Sequence, residues 1–196
     1  MTRLRTLLGT EVVWLLGFLA LVLIGFGVFA PRFLSAANFG SIAFQLPELG
    51  LLTLAMLIPI ISGGLNLAII FTANMAGLTL AWILNVNGGV DAGIGAFVLG
   101  TAAALAVGAA AGFVMGIVIA YTGAHPILVS LSMMIFLRGL GEFLTRGGDI
   151  SGFPDFLKPV GHGLVLGIPV PLVLFAVAAF VWHIMLSRTR HGFAVF

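Results

Sequence analysis

From Val12 to Ala30 the chain reads VVWLLGFLALVLIGFGVFA, an uncharged run nearly as long as a bilayer core is thick. Five more apolar stretches follow: Ile42 to Ile61, Leu67 to Leu84, Ala92 to Tyr121, Ile127 to Thr145, and one opened by Pro169 and Pro171 that runs to Leu186. In hydrocarbon each backbone N–H and C=O must find its partner within the chain, and the helix meets that demand inside a single segment. The composition agrees, with 61% hydrophobic and 7% charged residues and a mean hydropathy of +1.27. A water-soluble domain carries about 25% charged residues. The chain is expected to be an all-α, polytopic integral membrane protein of about six transmembrane helices, with residues 1–196 as one domain.

Several function classes fall away on composition. There is no cysteine, which removes disulfides, thiol nucleophiles and Cys-based metal sites. The net charge of +2 comes from few groups and bears on topology. No basic cluster with interleaved aromatics exists to hold a nucleic acid. GxSxG, HExxH and GxxxxGK[ST] are all missing, so the chain has no nucleophile elbow, zincin site or phosphate-binding loop. The histidines at 125, 162, 183 and 191 are scattered, and Asp149 and Asp155 find no third ligand at metal spacing. Neither a metal nor a cofactor is expected, and the chain is not expected to be an enzyme.

The basic start, Arg3 and Arg5, followed by an apolar run also suggests a secretory signal. The run is too long for an h-region, however, and Pro31-Arg32 separates it from the small residues Ser35-Ala36-Ala37. It reads as a retained first span. Pro31 to Gln45 reads as an outside loop, and Glu48 as lying near the outer end of a second span bent by Pro47 and Pro59. Asn85 to Asp91 and Thr122 to His125 read as turns, Pro126 as the first position of a helix, and Arg146 to Gly163 as the longest polar loop. Six spans return both termini to one side, which carries Arg3, Arg5, Arg188 and Arg190. The opposite loops carry Arg32, Arg146 and Lys158, so both termini are expected in the cytoplasm.

Between the second and third spans lies Ser62-Gly-Gly-Leu-Asn-Leu-Ala-Ile-Ile70, where a helix is not expected to continue. Gly63 and Gly64 weaken helical backbone, and Asn66 brings an amide into an apolar neighbourhood. Irregular backbone at membrane depth is tolerated when packed in protein or lining a wet cavity, so this segment points to a translocation path. A tight cytoplasmic turn between two ordinary spans fits the same residues. Asn66 and Asn74 are eight apart and would share one face of a continuous helix, either as a polar stripe along a path or as interhelical hydrogen-bonding groups.

Ala104, Gly108, Gly112 and Gly116 recur every fourth residue and are expected to let the fourth span pack closely on a neighbour. Arg138 and Glu142 lie within the fifth span at i and i+4. An ionisable residue there is a functional candidate, but this spacing favours a structural ion pair.

Read in order, these segments resemble the permease subunits of ATP-binding-cassette importers of the ribose/simple-sugar type, a family that also covers nucleoside and autoinducer-type substrates. The resemblance rests on Asn38-Phe39, SGGLNLAII, GIVIAYTGAHP, LVSLSMMIFLRGLGEFLTRG, GIPVPLVLFAVAAF and SRTRHGF, which together cover most of the chain from Pro31 to Phe196. It implies alternating access at a bacterial inner membrane. Two permease subunits, identical or different, would form the path for a small polar solute such as a monosaccharide. An extracytoplasmic solute-binding protein would dock outside, and separate ATPase subunits inside would hydrolyse ATP. Gly63 and Gly64 would give hinge freedom, and Asn66 and Asn74 would line the path. Sugar-type members usually read GG-I-D-L-S where this chain has Gly63-Gly64-Leu65-Asn66-Leu67-Ala68, which looks more like the nucleoside or other small-polar-solute branches. Members also continue through a coupling segment and further spans, so the chain is expected to be the N-terminal part of a longer permease. Two rivals remain: a secondary transporter or channel for a small neutral solute, and a non-transporting membrane assembly subunit.

Overall fold

The computed structural model describes residues 10–189. Arg3, Arg5 and Arg190, on which the orientation argument partly rests, lie outside them, as do His191 and the stretch to Phe196. The protein is an all-α polytopic membrane protein with six helices long and apolar enough to cross a bilayer. These are α1 (Thr10–Phe29), α2 (Ala36–Ile61), α3 (Ile69–Val86), α4 (Ile94–Thr122), α5 (Pro126–Thr145) and α7 (Val170–Arg188), with a short α6 (Lys158–His162) before the last. The chain divides into two compact units, Met1–Gln45 and Leu46–Phe196.

In the first unit, α1 buries none of the residues of its membrane-length stretch. Where Pro31 to Gln45 was expected as an outside loop, only a short turn intervenes before α2 begins at Ala36. Ser35 is the reason. Its Oγ accepts from Asn38 N at 3.2 Å, satisfying a first-turn amide as an N-cap, while its own hydroxyl donates to Arg32 O at 2.7 Å. Asn38 Nδ2 donates to Phe33 O at 2.7 Å, tying the turn to the new helix. The longer helix moves Glu48 from an expected outer end to the middle of α2.

In the second unit α3, α4 and α5 pack together around Met75, Ala111 and Leu137, flanked by Phe71, Leu78, Val107, Met133 and Leu140. This buried set is small because lipid, not water, surrounds the remaining apolar surface. Close backbone approach contributes to the packing instead. A Cβ on Gly100 of α4 would lie 2.7 Å from Leu80 Cδ1 of α3, and one on Gly50 of α2 would lie 2.5 Å from the Phe175 ring of α7. With 29 residues, α4 is longer than about 20 residues needed to span a bilayer core, so it tilts or extends past the interface.

The loop after α5 holds more structure than its polar composition suggests. A 3₁₀ turn, Asp155–Leu157, leads into α6, and β1 (Leu164–Val165) pairs antiparallel with β2 (Ile168–Pro169). The two connecting residues, Leu166 and Gly167, have φ of 53° and 81°, as a two-residue primed hairpin turn requires. Leucine is a poor residue for that backbone, which is why no hairpin signal stands in the sequence.

The close approach at Gly100 is testable. Gly100→Leu is expected to destabilise the detergent-solubilised chain by about 1–3 kcal/mol through overpacking against Leu80. Gly95→Leu, on a stretch of α4 where a Cβ meets nothing within 4 Å, is expected to leave the apparent Tm unchanged.

Candidate functional site

The helical backbone stops at Ile61 and resumes at Ile69. The stop is a Schellman cap: Gly64 N donates to Pro59 O at 2.9 Å and Gly63 N to Ile60 O at 3.0 Å, with Gly63 at φ 78°. A side chain at Gly63 would be strained in this left-handed conformation, so glycine is favoured there. Asn66 then forms an Asx turn, its Oδ1 accepting from Ala68 N at 3.0 Å just before α3 begins. Across from the break, Ser130 of α5 is buried, and its Oγ lies 3.1 Å from both Leu65 O and Ile127 O. A Cβ on Gly64 would sit 3.3 Å from Pro126 Cβ, so the break lies against the first turn of α5.

These residues border a cavity of about 330 Å³. Ser62, Asn66 and Ser130 supply its polar side chains, and Gly112, Met115 and Gly116 of α4 line it as well. Asn66 Nδ2 has no protein partner among the described residues. The small-residue stripe divides along α4. A Cβ on Gly108 would lie 4.0 Å from Thr72 Cγ2, whereas one on Gly112 or Gly116 would meet nothing within 4 Å. Ala104 is half-buried.

Asn74 lies elsewhere. Because α3 starts at Ile69, Asn66 is outside the helix, and the eight-residue spacing does not place the two amides on one helical face. Asn74 instead borders a second cavity, of about 280 Å³, with Arg138, Glu142, Thr145, Asp149 and Phe71. Arg138 Nε donates to Glu142 Oε1 at 2.9 Å, and the guanidinium carbon lies 6.0 Å from the Phe71 ring centroid. The side chains of the pair are each 63% exposed, so it is no core clamp. After α5, Arg146 (φ 53°) and Gly147 (φ 71°) turn the chain so that Gly147 to Ile150 border the same cavity. This meeting of Asn74 with the charged pair was not visible in the sequence, since it needs the register of α3 against α5. The inner polar residue Thr79 bonds its own helix at Met75 O and lies on neither cavity.

The chain is 29% identical over 188 residues to the autoinducer 2 import system permease protein LsrD of Enterobacter sp. (strain 638), covering 91% of this chain and 54% of that protein. It is 27% identical over 192 residues to LsrD of Yersinia enterocolitica, covering 93% and 56%. The ribose import permease protein RbsC of Escherichia coli (strain K12) is 29% identical over 167 residues, covering 83% and 50%. The chain is similar to import permeases. It spans about half the length of the curated relatives it matches. No protein-family model and no solved structure matches it. The resemblance read from the ordered motifs is thereby borne out.

The capped break has a measurable consequence. Ser130→Ala removes the hydroxyl beside Leu65 O and is expected to cost about 0.6–2 kcal/mol, with faster amide exchange across residues 62–68. Gly63→Ala is expected to cost about 1–2 kcal/mol from the left-handed backbone. Thermal unfolding and hydrogen exchange in detergent measure both.

Proposed function

We propose that the chain is a membrane-spanning permease component of an ATP-binding-cassette importer and forms part of the path for a small polar, uncharged solute such as a monosaccharide. The observation that carries this reading is similarity over 83% of the chain to an import permease of ribose and over 91% to one of autoinducer 2. The helix break with its adjoining cavity supports it. Irregular backbone in a membrane protein is stable where protein or a water-filled cavity surrounds it, as along a transport path.

On this reading ATP is hydrolysed by separate subunits at the cytoplasmic side, and the chain itself transports without catalysing a reaction. A second permease subunit completes the path, and an extracytoplasmic binding protein delivers the solute. The setting is a bacterial inner membrane with both termini in the cytoplasm. The break at 62–68 and the turn at 123–125 then lie toward the cytoplasm. Gly63 and Gly64 act as a hinge there, and Asn66 offers a free amide donor to a passing solute.

The chain, tagged in its native cell and extracted in mild detergent, is expected to bring down a P-loop ATPase. Recovery without one, together with uptake driven by a proton or sodium gradient, would replace the importer with a secondary transporter. In the complete system Asn66→Leu is expected to lower uptake by up to about tenfold, the loss of one hydrogen bond. Unchanged uptake would remove Asn66 from the path.

A further inference from the structure

The Arg138–Glu142 pair has features that helix stability does not explain. The favourable order along a helix is acid first and base four residues later, and here Arg138 comes first. Glu142 stands in the last turn of α5, which ends at Thr145, where the negative end of the helix dipole opposes a carboxylate. One bond joins the two side chains, Nε to Oε1, and both are 63% exposed. The Arg138 Nη groups and Glu142 Oε2 have no protein partner among the described residues, nor does the amide of Asn74 across the cavity. On the same helix Ile135 and Phe136 present large apolar surfaces. Polar groups left unpaired beside a cavity keep their hydrogen-bonding capacity for water or a ligand.

We infer that Arg138, Glu142 and Asn74 form a binding station for a neutral polyhydroxyl solute, with the ion pair as its specificity-determining element. The inference rests on the permease reading above and assigns the polar cavity beside α3 and α5 a role that reading does not. A hydroxyl both donates and accepts, and the station offers both capacities side by side: guanidinium donors, a carboxylate acceptor and an amide that is each in turn. The pair carries no net charge, and Asp149 at the cavity edge leaves one negative charge, which disfavours an anion. Phe71, whose ring lies under the guanidinium, adds apolar lining to the cavity wall.

The test is equilibrium binding of tritiated ribose and tritiated ribitol to the full chain in lipid nanodiscs. Saturable binding of at least one probe is expected. The double substitution Arg138→Glu with Glu142→Arg keeps an ion pair and puts it in the helix-favoured order. It is expected to retain or raise the apparent Tm while weakening binding about tenfold or more. Asn74→Leu is expected to weaken binding without lowering the Tm. Undiminished binding by the charge-swapped chain would make the pair structural and overturn the inference. So would the absence of saturable binding of both probes by the folded wild-type chain up to about 10 mM, a concentration above weak-site affinities. Should the swap fail to fold, Arg138→Gln with Glu142→Gln decides by the same criterion. Failure of the importer reading is separately visible. Pair-dependent binding without a co-purifying ATPase overturns that reading and leaves the station, whereas an ATPase with pair-independent binding overturns the station alone.

Discussion

A peptide group in hydrocarbon must be hydrogen-bonded, and the architecture of this protein follows from how the chain meets that demand wherever a helix ends. At the break the amides of Gly63 and Gly64 turn back onto α2, Asn66 supplies an acceptor for Ala68, and the Ser130 hydroxyl reaches Leu65 O. The same solution recurs after α5, where Arg146 N and Gly147 N turn back onto Phe143 O and Glu142 O. Gly123, at φ 65°, closes α4 by a single bond to Ile119 O. At each cap the chain turns within a few residues, and α3, α4 and α5 pack on one another.

The cavities are consequences of those reversals. The break consists of short, Gly-rich backbone, and α4 opposes it with Gly112 and Gly116, so little side-chain volume fills the space near the first turn of α5. Further along α3 and α5 the chain leaving Arg146 bends over a second space, and the long polar side chains Arg138 and Glu142 border it without filling it. Between the two, Met75 and Leu137 pack with Ala111 in the buried cluster. A thin core, close glycine contacts and large apolar outer faces are what a protein dissolved in lipid requires, since burial of apolar surface between helices gains little there.

Much of the fold was legible because its signals are local. Uncharged length gives a span, Gly-Gly gives a stop, and Pro126 gives a start, so the helices and the break stand close to their expected places. The departures also have local causes. Ser35 is an N-cap, and reading it as one would have begun α2 at Ala36 and put Glu48 at mid-helix. The β1–β2 hairpin turns through Leu166 at positive φ, a conformation no sequence rule assigns to leucine.

The sequence by itself determined that this chain dissolves in lipid, how many times it crosses, where its backbone must break and which few polar residues lie among the apolar ones. Those properties depend on composition and on contacts a few residues apart. Only the tertiary structure decided which polar residues meet. Asn66 and Asn74 are near in sequence yet border different cavities, because the cap at Gly63 restarts the helix at Ile69 and so breaks the register that joined them. Asn74 instead borders one cavity with Arg138 and Glu142, far along the chain, because α3 and α5 pack side by side about Met75 and Leu137. Spacing along a chain carries angular information only while one helix continues, and across a break the packing of neighbours takes over that role.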